Sequence, residues 1–139
     1  MSASTSGMTV NIPEIVAELQ SVFGRYEKAL NDNDVSVLNS MFWNSPHTVR
    51  YGVAEQLYGY AEIAGFREAR STIELRRELI KVVITTYGRD FGTASCEYRR
   101  LETGRRGRQM QTWMRLAEGN AGESADWRVV AAQVSPLLA

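Results

Sequence analysis

The sequence predicts an α+β fold: a cone-shaped, curved, mostly antiparallel sheet wrapped over three N-terminal helices. Three observations carry this. Apolar residues in the first half keep to helical three- and four-residue steps. The second half holds long β-branched and aromatic runs separated by short turns. The two kinds of segment are grouped along the chain rather than alternating, which separates this pattern from a parallel α/β sheet. With 139 residues, 44% hydrophobic and 23% charged, the chain has enough apolar bulk to bury a core without metals or disulfides. We expect a flexible tail over residues 1–9 and a single domain over 10–139.

The first helix follows from Ile12, Ile15, Val16, Leu19, Val22, Phe23, Tyr26 and Leu30, which share one stripe. Pro13 sits in its first turn, where the missing N–H costs nothing, and Asn31-Asp32-Asn33-Asp34 stops it. Asp34 is placed to cap a short second helix through Val35, Val37, Leu38 and Met41, which Ser45-Pro46 ends. Residues 48–53 (Thr-Val-Arg-Tyr-Gly-Val) read as a short strand. A third helix runs from about Tyr60 to Ala69 with Ile63 and Phe66 on its apolar stripe. Four strands follow: Arg77 to Tyr87, Phe91 to Leu101, Gln109 to Ala117, and Trp127 to Ser135. The turns Gly88-Arg89-Asp90 and Gly104 to Gly107, and a loose loop from Gly119 to Ala125, make these an antiparallel meander. A curved sheet over helices encloses a conical hollow, the default place for a ligand.

Charge and composition exclude several function classes. Sixteen basic residues balance sixteen acidic ones, which argues against nucleic acid as partner. No apolar run is long enough for a membrane span. One histidine, His47, and one cysteine, Cys96, cannot build a His/Cys zinc site, and no internal disulfide is possible, so a reducing cytoplasm is expected. No phosphate loop, dinucleotide fingerprint or metalloprotease motif is present, and we expect no cofactor. Arginine supplies 14 of the 16 basic residues. A GC-rich codon bias gives that excess, and so does recognition of a planar anion, whose geometry the guanidinium fork matches. Position has to decide between them.

Two residues stand out for chemistry. Tyr26 lies on the buried stripe of the first helix, where leucine would suffice for packing, and a buried phenol needs a polar partner. That partner is either a backbone carbonyl or a ligand in the hollow, for which the phenol would act as proton donor. Arg50 sits between Val49 and Tyr51 in the short strand, and strand alternation points it to the opposite layer from both. It either grips an anion in the hollow or pairs with a nearby glutamate in solvent. Trp43, Tyr51, Phe66, Trp113 and Trp127 are candidates for aromatic walls. Arg67 and Arg70, three apart on the third helix, either add positive potential at the mouth or occupy a solvated face. Gln111 shares a strand face with Trp113, where its amide reaches a substrate carbonyl. Glu97 is a counter-ion or a surface salt bridge, and Cys96 is a buried, inert thiol.

Tyr26-Glu27, Asn33-Asp34-Val35, Met41-Phe42-Trp43, the run Val49-Arg50-Tyr51-Gly52-Val53-Ala54-Glu55 and Leu57-Tyr58-Gly59-Tyr60 form one string with Phe66-Arg67 and Arg70. Gln111-Thr112-Trp113 and Trp127 to Ala132 extend it, so that residues 12–135 resemble the AtzH/HpxZ-like family of the nuclear-transport-factor-2-like superfamily. The resemblance implies a cone fold, pairing as a homodimer through the sheet, and functional association with amidases of nitrogen catabolism. It implies conversion of 1,3-dicarboxyurea to urea-1-carboxylate (allophanate) with loss of CO₂, as in cyanuric acid degradation, with Tyr26 and Arg50 as the catalytic pair. Around a small dicarboxylate of urea type we expect Arg67, Arg70, Gln111, Trp113, Phe42 and Tyr51. Relatives often read Ala-Ala-His-Val-Ser in the last strand; here Gln133 takes the histidine's place. The alternative is a small-acid-binding or accessory subunit of an amidase, of the kind linked to oxalurate breakdown, without turnover of its own.

Overall fold

A computed structural model describes residues 8–70, 75–116 and 126–138. Residues 1–7 of the expected tail and the expected loop at 119–125 lie outside the described residues. Three helices, α1 (Pro13–Asn31), α2 (Val35–Ser40) and α3 (Tyr60–Ala69), cover one face of a six-stranded sheet. Its strands are β1 (Val49–Tyr51), β2 (Gln56–Tyr58), β3 (Arg77–Tyr87), β4 (Phe91–Arg100), β5 (Arg106–Arg115) and β6 (Trp127–Pro136), in the spatial order β2-β1-β6-β5-β4-β3. The meander from β3 to β6 is antiparallel throughout, as the sequence predicts. The exception is β1, which pairs parallel with β6, bringing Arg50 opposite Ala132.

The apolar stripe of α1 becomes the floor of the core, with Ile15, Leu19, Val22, Phe23, Tyr26 and Leu30 all buried. Asp34 caps α2 by accepting a hydrogen bond from the Val37 amide at 3.2 Å. The strand expected at 48–53 is shorter and turns back at once: the Gly52 amide donates to the Glu55 carbonyl, and β2 follows as an unforeseen hairpin partner. Gly59 then opens α3 at φ 89°, while Glu62 in the first turn accepts from the Tyr58 amide at 2.8 Å. From the sheet, Ala94, Cys96, Trp113, Trp127 and Val129 meet the helices. Cys96 is buried as expected, and desolvation pushes its thiol up from the usual range.

Gly107 on β5 is fixed by crowding. A Cβ there would run into the Tyr98 hydroxyl and come within 2.8 Å of the Ser135 carbonyl oxygen. Gly107→Ala is therefore expected to destabilise by roughly 1–3 kcal/mol, through displacement of Tyr98 and the β5–β6 ladder. Urea denaturation measures this, and an unchanged midpoint would show that the close approach is slack.

Among the described residues, no helix covers the other face of the sheet. Val83, Met110, Tyr51 and Tyr58 are exposed there, and Glu97 makes a surface ion pair with Arg106 at 3.5 Å. Among the described residues, no helix is long and apolar enough to cross a membrane.

Candidate functional site

Tyr26 enters the site from the middle of α1, its side chain buried among rings. Its ring stacks on Phe23 at 6.4 Å, meets Phe42 at 6.4 Å and takes Trp113 edge-on at 6.1 Å. Phe42 follows α2, and Trp113 stands on the inner face of β5. Gln111, two residues before Trp113, therefore shares that face. Its Oε1 accepts from the Trp113 indole N–H at 3.1 Å, which leaves Nε2 as the outward-reaching donor. That nitrogen is buried with no protein partner, in a residue only 2% exposed. A buried amide donor left open is costly, and a bound acceptor would remove the cost.

Three guanidiniums complete the arrangement. Arg67 is 4% exposed, which removes the solvated-face alternative for it. Helix α3 turns it inward, where it lies 4.7 Å over the Phe42 ring and donates from Nη1 to Asn39 Oδ1 at 2.9 Å. Burial pushes Arg67 down to about 10, with Arg50 and Arg70 adding repulsion and Tyr26 opposing it, so the group stays cationic at neutral pH. Arg70, one helical turn on, is pushed down for the same reasons, burial first and Arg50 next. Its Nη2 is also buried without a hydrogen-bond partner among the described residues. Arg50 leaves β1 on the helix side, 5.9 Å over Phe66, and donates to Glu55 Oε2 at 3.0 Å. Arg67 and Arg70 thus each lie within electrostatic reach of both Tyr26 and Arg50, and among the described residues neither has a carboxylate within 4.0 Å.

Seven of the residues singled out from sequence, namely Tyr26, Arg50, Arg67, Arg70, Gln111, Trp113 and Phe42, thus lie on the helix side of the sheet. Tyr51 does not. The alternation that turns Arg50 inward turns Tyr51 outward, where its hydroxyl meets that of Tyr58 at 3.3 Å. Its expected role in ligand binding is corrected on that ground. Gln133, paired with Tyr51 across the ladder, is exposed on the same outer face, far from the phenol of Tyr26. Open grooves also cross that outer face. One of about 300 Å³ is lined by Lys81, Val83, Ser95, Glu97, Arg108 and Met110, without a convergence of arginines and a phenol.

Asn39 was not foreseen as a contact of Arg67, and the nearby glutamate expected as one alternative for Arg50 is Glu55, part-buried rather than in solvent. Glu55 carried a signal, since it stands five residues after Arg50 across a tight hairpin; Asn39 carried none, being 28 residues from Arg67. No group of three or more His, Cys, Asp or Glu side chains among the described residues is arranged to hold a metal ion. Chemically, the arrangement offers a phenol, an amide donor and a dense positive charge around an apolar floor, which suits a small anion with a carbonyl.

Comparison with known proteins agrees on the architecture. A solved structure of a protein of unknown function from the DUF3225 family of Pectobacterium atrosepticum is 47% identical, at TM-score 0.85, covering 95% of this chain and all (100%) of the other. A cystatin-like fold protein from Burkholderia xenovorans is 44% identical, also at 0.85, covering 96% of this chain and 99% of the other. A nuclear-transport-factor-2-like protein from Salmonella enterica shares 18% identity at TM-score 0.71, over 91% of this chain and 93% of the other, and so speaks for the fold alone. No curated protein matches the chain. The AtzH-like profile matches residues 8–138, nearly the whole sequence, and the chain belongs to the AtzH-like family.

Proposed function

We propose that this protein is a metal-independent amidohydrolase acting on an N-carboxylated urea, converting 1,3-dicarboxyurea to urea-1-carboxylate and CO₂. The observation that carries the reading is a pair of arginines, Arg67 and Arg70, within electrostatic reach of both the buried Tyr26 phenol and Arg50, neither of the pair having a carboxylate partner among the described residues. A planar dianion matches that excess of charge, and guanidinium forks match carboxylates. Family membership supports the same substrate class.

In this reading Arg50, with Arg67 and Arg70, holds the two carboxylates, and the Gln111 amide donates to the urea carbonyl. The Tyr26 phenol gives its proton to the carbamate nitrogen as the N–CO₂ bond breaks. The bond's electron pair stays on nitrogen, the carboxylate leaves as CO₂, and the tyrosinate regains a proton from water. One proton is consumed per dianion, giving the monoanionic product. A phenol set beside the breaking bond is a competent general acid. The uncovered sheet face, with Met110 62% and Tyr58 55% exposed, supports pairing of two copies through their sheets.

Arg50→Ala is expected to raise KM by at least roughly tenfold, since a charge-assisted bond to a substrate carboxylate contributes about 1.5–3 kcal/mol. CO₂ release from dicarboxyurea by the purified protein, with spontaneous loss subtracted, tests the reading. A rate no higher than the uncatalysed one would overturn it.

A further inference from the structure

Among the described residues, two of the three site arginines have a protein acceptor, and the acceptors differ in kind. Arg50 meets a carboxylate, Glu55. Arg67 meets a neutral amide oxygen, that of Asn39. We infer that Asn39 and Glu55 set the charge of this site: Asn39 orients Arg67 without neutralising it, Glu55 cancels one charge at Arg50, and the balance selects ligands with two anionic groups. The inference rests on the anion-binding reading above and adds the residues that fix which anion is preferred.

The orientation of Asn39 follows from its other partner. Its Nδ2 lies 3.1 Å from a Glu68 carboxylate oxygen, which only accepts. The amide must therefore present nitrogen to Glu68 and oxygen to Arg67. Glu68 is exposed and solvated, whereas Asn39 and Arg67 are 8% and 4% exposed, so the contact that matters to the guanidinium is the neutral one. Aspartate in place of Asn39 would have nearly the same shape and would turn that contact into a buried ion pair, while losing the bond to Glu68, whose exposed carboxylate is free to turn away into solvent. On the other side, Glu55 is held by three bonds: Arg50 Nη1 on Oε2, the Ala54 amide on Oε1, and its own carbonyl to the Gly52 amide. Any side chain at Gly52 would strike the Glu55 carboxylate, so the hairpin is shaped around the pair. Of the three guanidiniums only Arg50 has a carboxylate within 4.0 Å among the described residues, so Arg67 and Arg70 are not directly neutralised. The buried, unpartnered nitrogens of Arg70 and Gln111 are the donors that such a ligand would satisfy.

Binding of malonate and of acetate, measured by calorimetry at low salt and neutral pH, reads the charge directly. The wild-type protein is expected to prefer the dianion. One charge removed or added beside the ligand changes the malonate-to-acetate affinity ratio by roughly tenfold, because a dianion feels it twice as strongly as a monoanion. Asn39→Asp should lower the ratio and Glu55→Gln should raise it. Damage to the structure would weaken both ligands in proportion and leave the ratio alone, so opposite movement of the two variants supports the inference. A ratio that stays fixed in both variants, or moves the same way in both, overturns it. If Asn39→Asp does not fold, Glu55→Gln decides alone, a raised ratio supporting the inference and an unchanged or lowered one overturning it. Wild-type protein that binds malonate yet releases no CO₂ from dicarboxyurea refutes the proposed reaction, while the ratios still decide the role of these two residues. Wild-type protein that binds neither anion overturns both.

Discussion

Tyr26→Phe is expected to keep the fold and the affinity for anions while cutting turnover by roughly 10²–10⁴-fold, the range a positioned general acid supplies. The packing argument is direct. All three aromatic contacts of Tyr26, with Phe23, Phe42 and Trp113, are made by its ring, which phenylalanine retains. Removing the hydroxyl takes away the group to which the proposed mechanism gives the proton transfer. Arg67 and Arg70 remain to hold the carboxylates, so KM should move little while kcat falls. The measurement is CO₂ release from dicarboxyurea at saturating substrate, alongside malonate binding to confirm that the site is intact. Wild-type turnover in the phenylalanine variant would remove Tyr26 from the chemistry and leave the arginines as a binding site only.

The largest effect on stability is expected at Glu27, next to Tyr26 in sequence but directed elsewhere. Its two carboxylate oxygens accept from Nε and Nη2 of Arg77, each at 2.8 Å. Arg77 also donates to Gln109 at 3.2 Å and lies 4.6 Å over the Tyr98 ring, with its side chain 1% exposed. Burial alone would pull the Arg77 guanidinium down; the bond and charge of Glu27 more than reverse this and hold it above its ordinary value. Glu27→Ala leaves a buried cation without a partner, and such breakage costs about 3–5 kcal/mol. Denaturant unfolding should show this in the midpoint, and a loss under about 1 kcal/mol would mean that water reaches the guanidinium. The double variant Glu27→Leu with Arg77→Met should recover much of the loss, because it removes the charge along with its partner.

These two neighbours on one helix show what local pattern reveals and what it hides. Tyr26 stood out because it occupied a position on the apolar stripe of α1. Glu27 drew no reading of its own, because its partner lies 50 residues away, at the start of β3. The same limit applies to α3, where the periodicity left Arg67 open to solvent. Its burial depends on the Phe42 ring and the Asn39 amide, which come from α2 and the turn after it. The meander from β3 to β6 was legible because hairpin turns join consecutive runs. The parallel pairing of β1 with β6 was not, since nothing local marks which distant strand a three-residue run will join. At Tyr51 the alternation rule already contained the answer. Placing it in the ligand set followed its aromatic character rather than its parity.

The ladder between β1 and β6 ties the start of the fold to its end. Among the described residues, the strand bearing Arg50 pairs with a three-residue hairpin partner and with residues 131–133. A two-stranded hairpin is marginal by itself in water. The hairpin and the Glu55 bond can form early, but the backbone of Arg50 gains its second neighbour only when a segment about eighty residues further on pairs with it, and non-local closures of this kind are slow to form. If Arg50 grips an anion as proposed, that competence arrives with the β1–β6 closure and not with the hairpin.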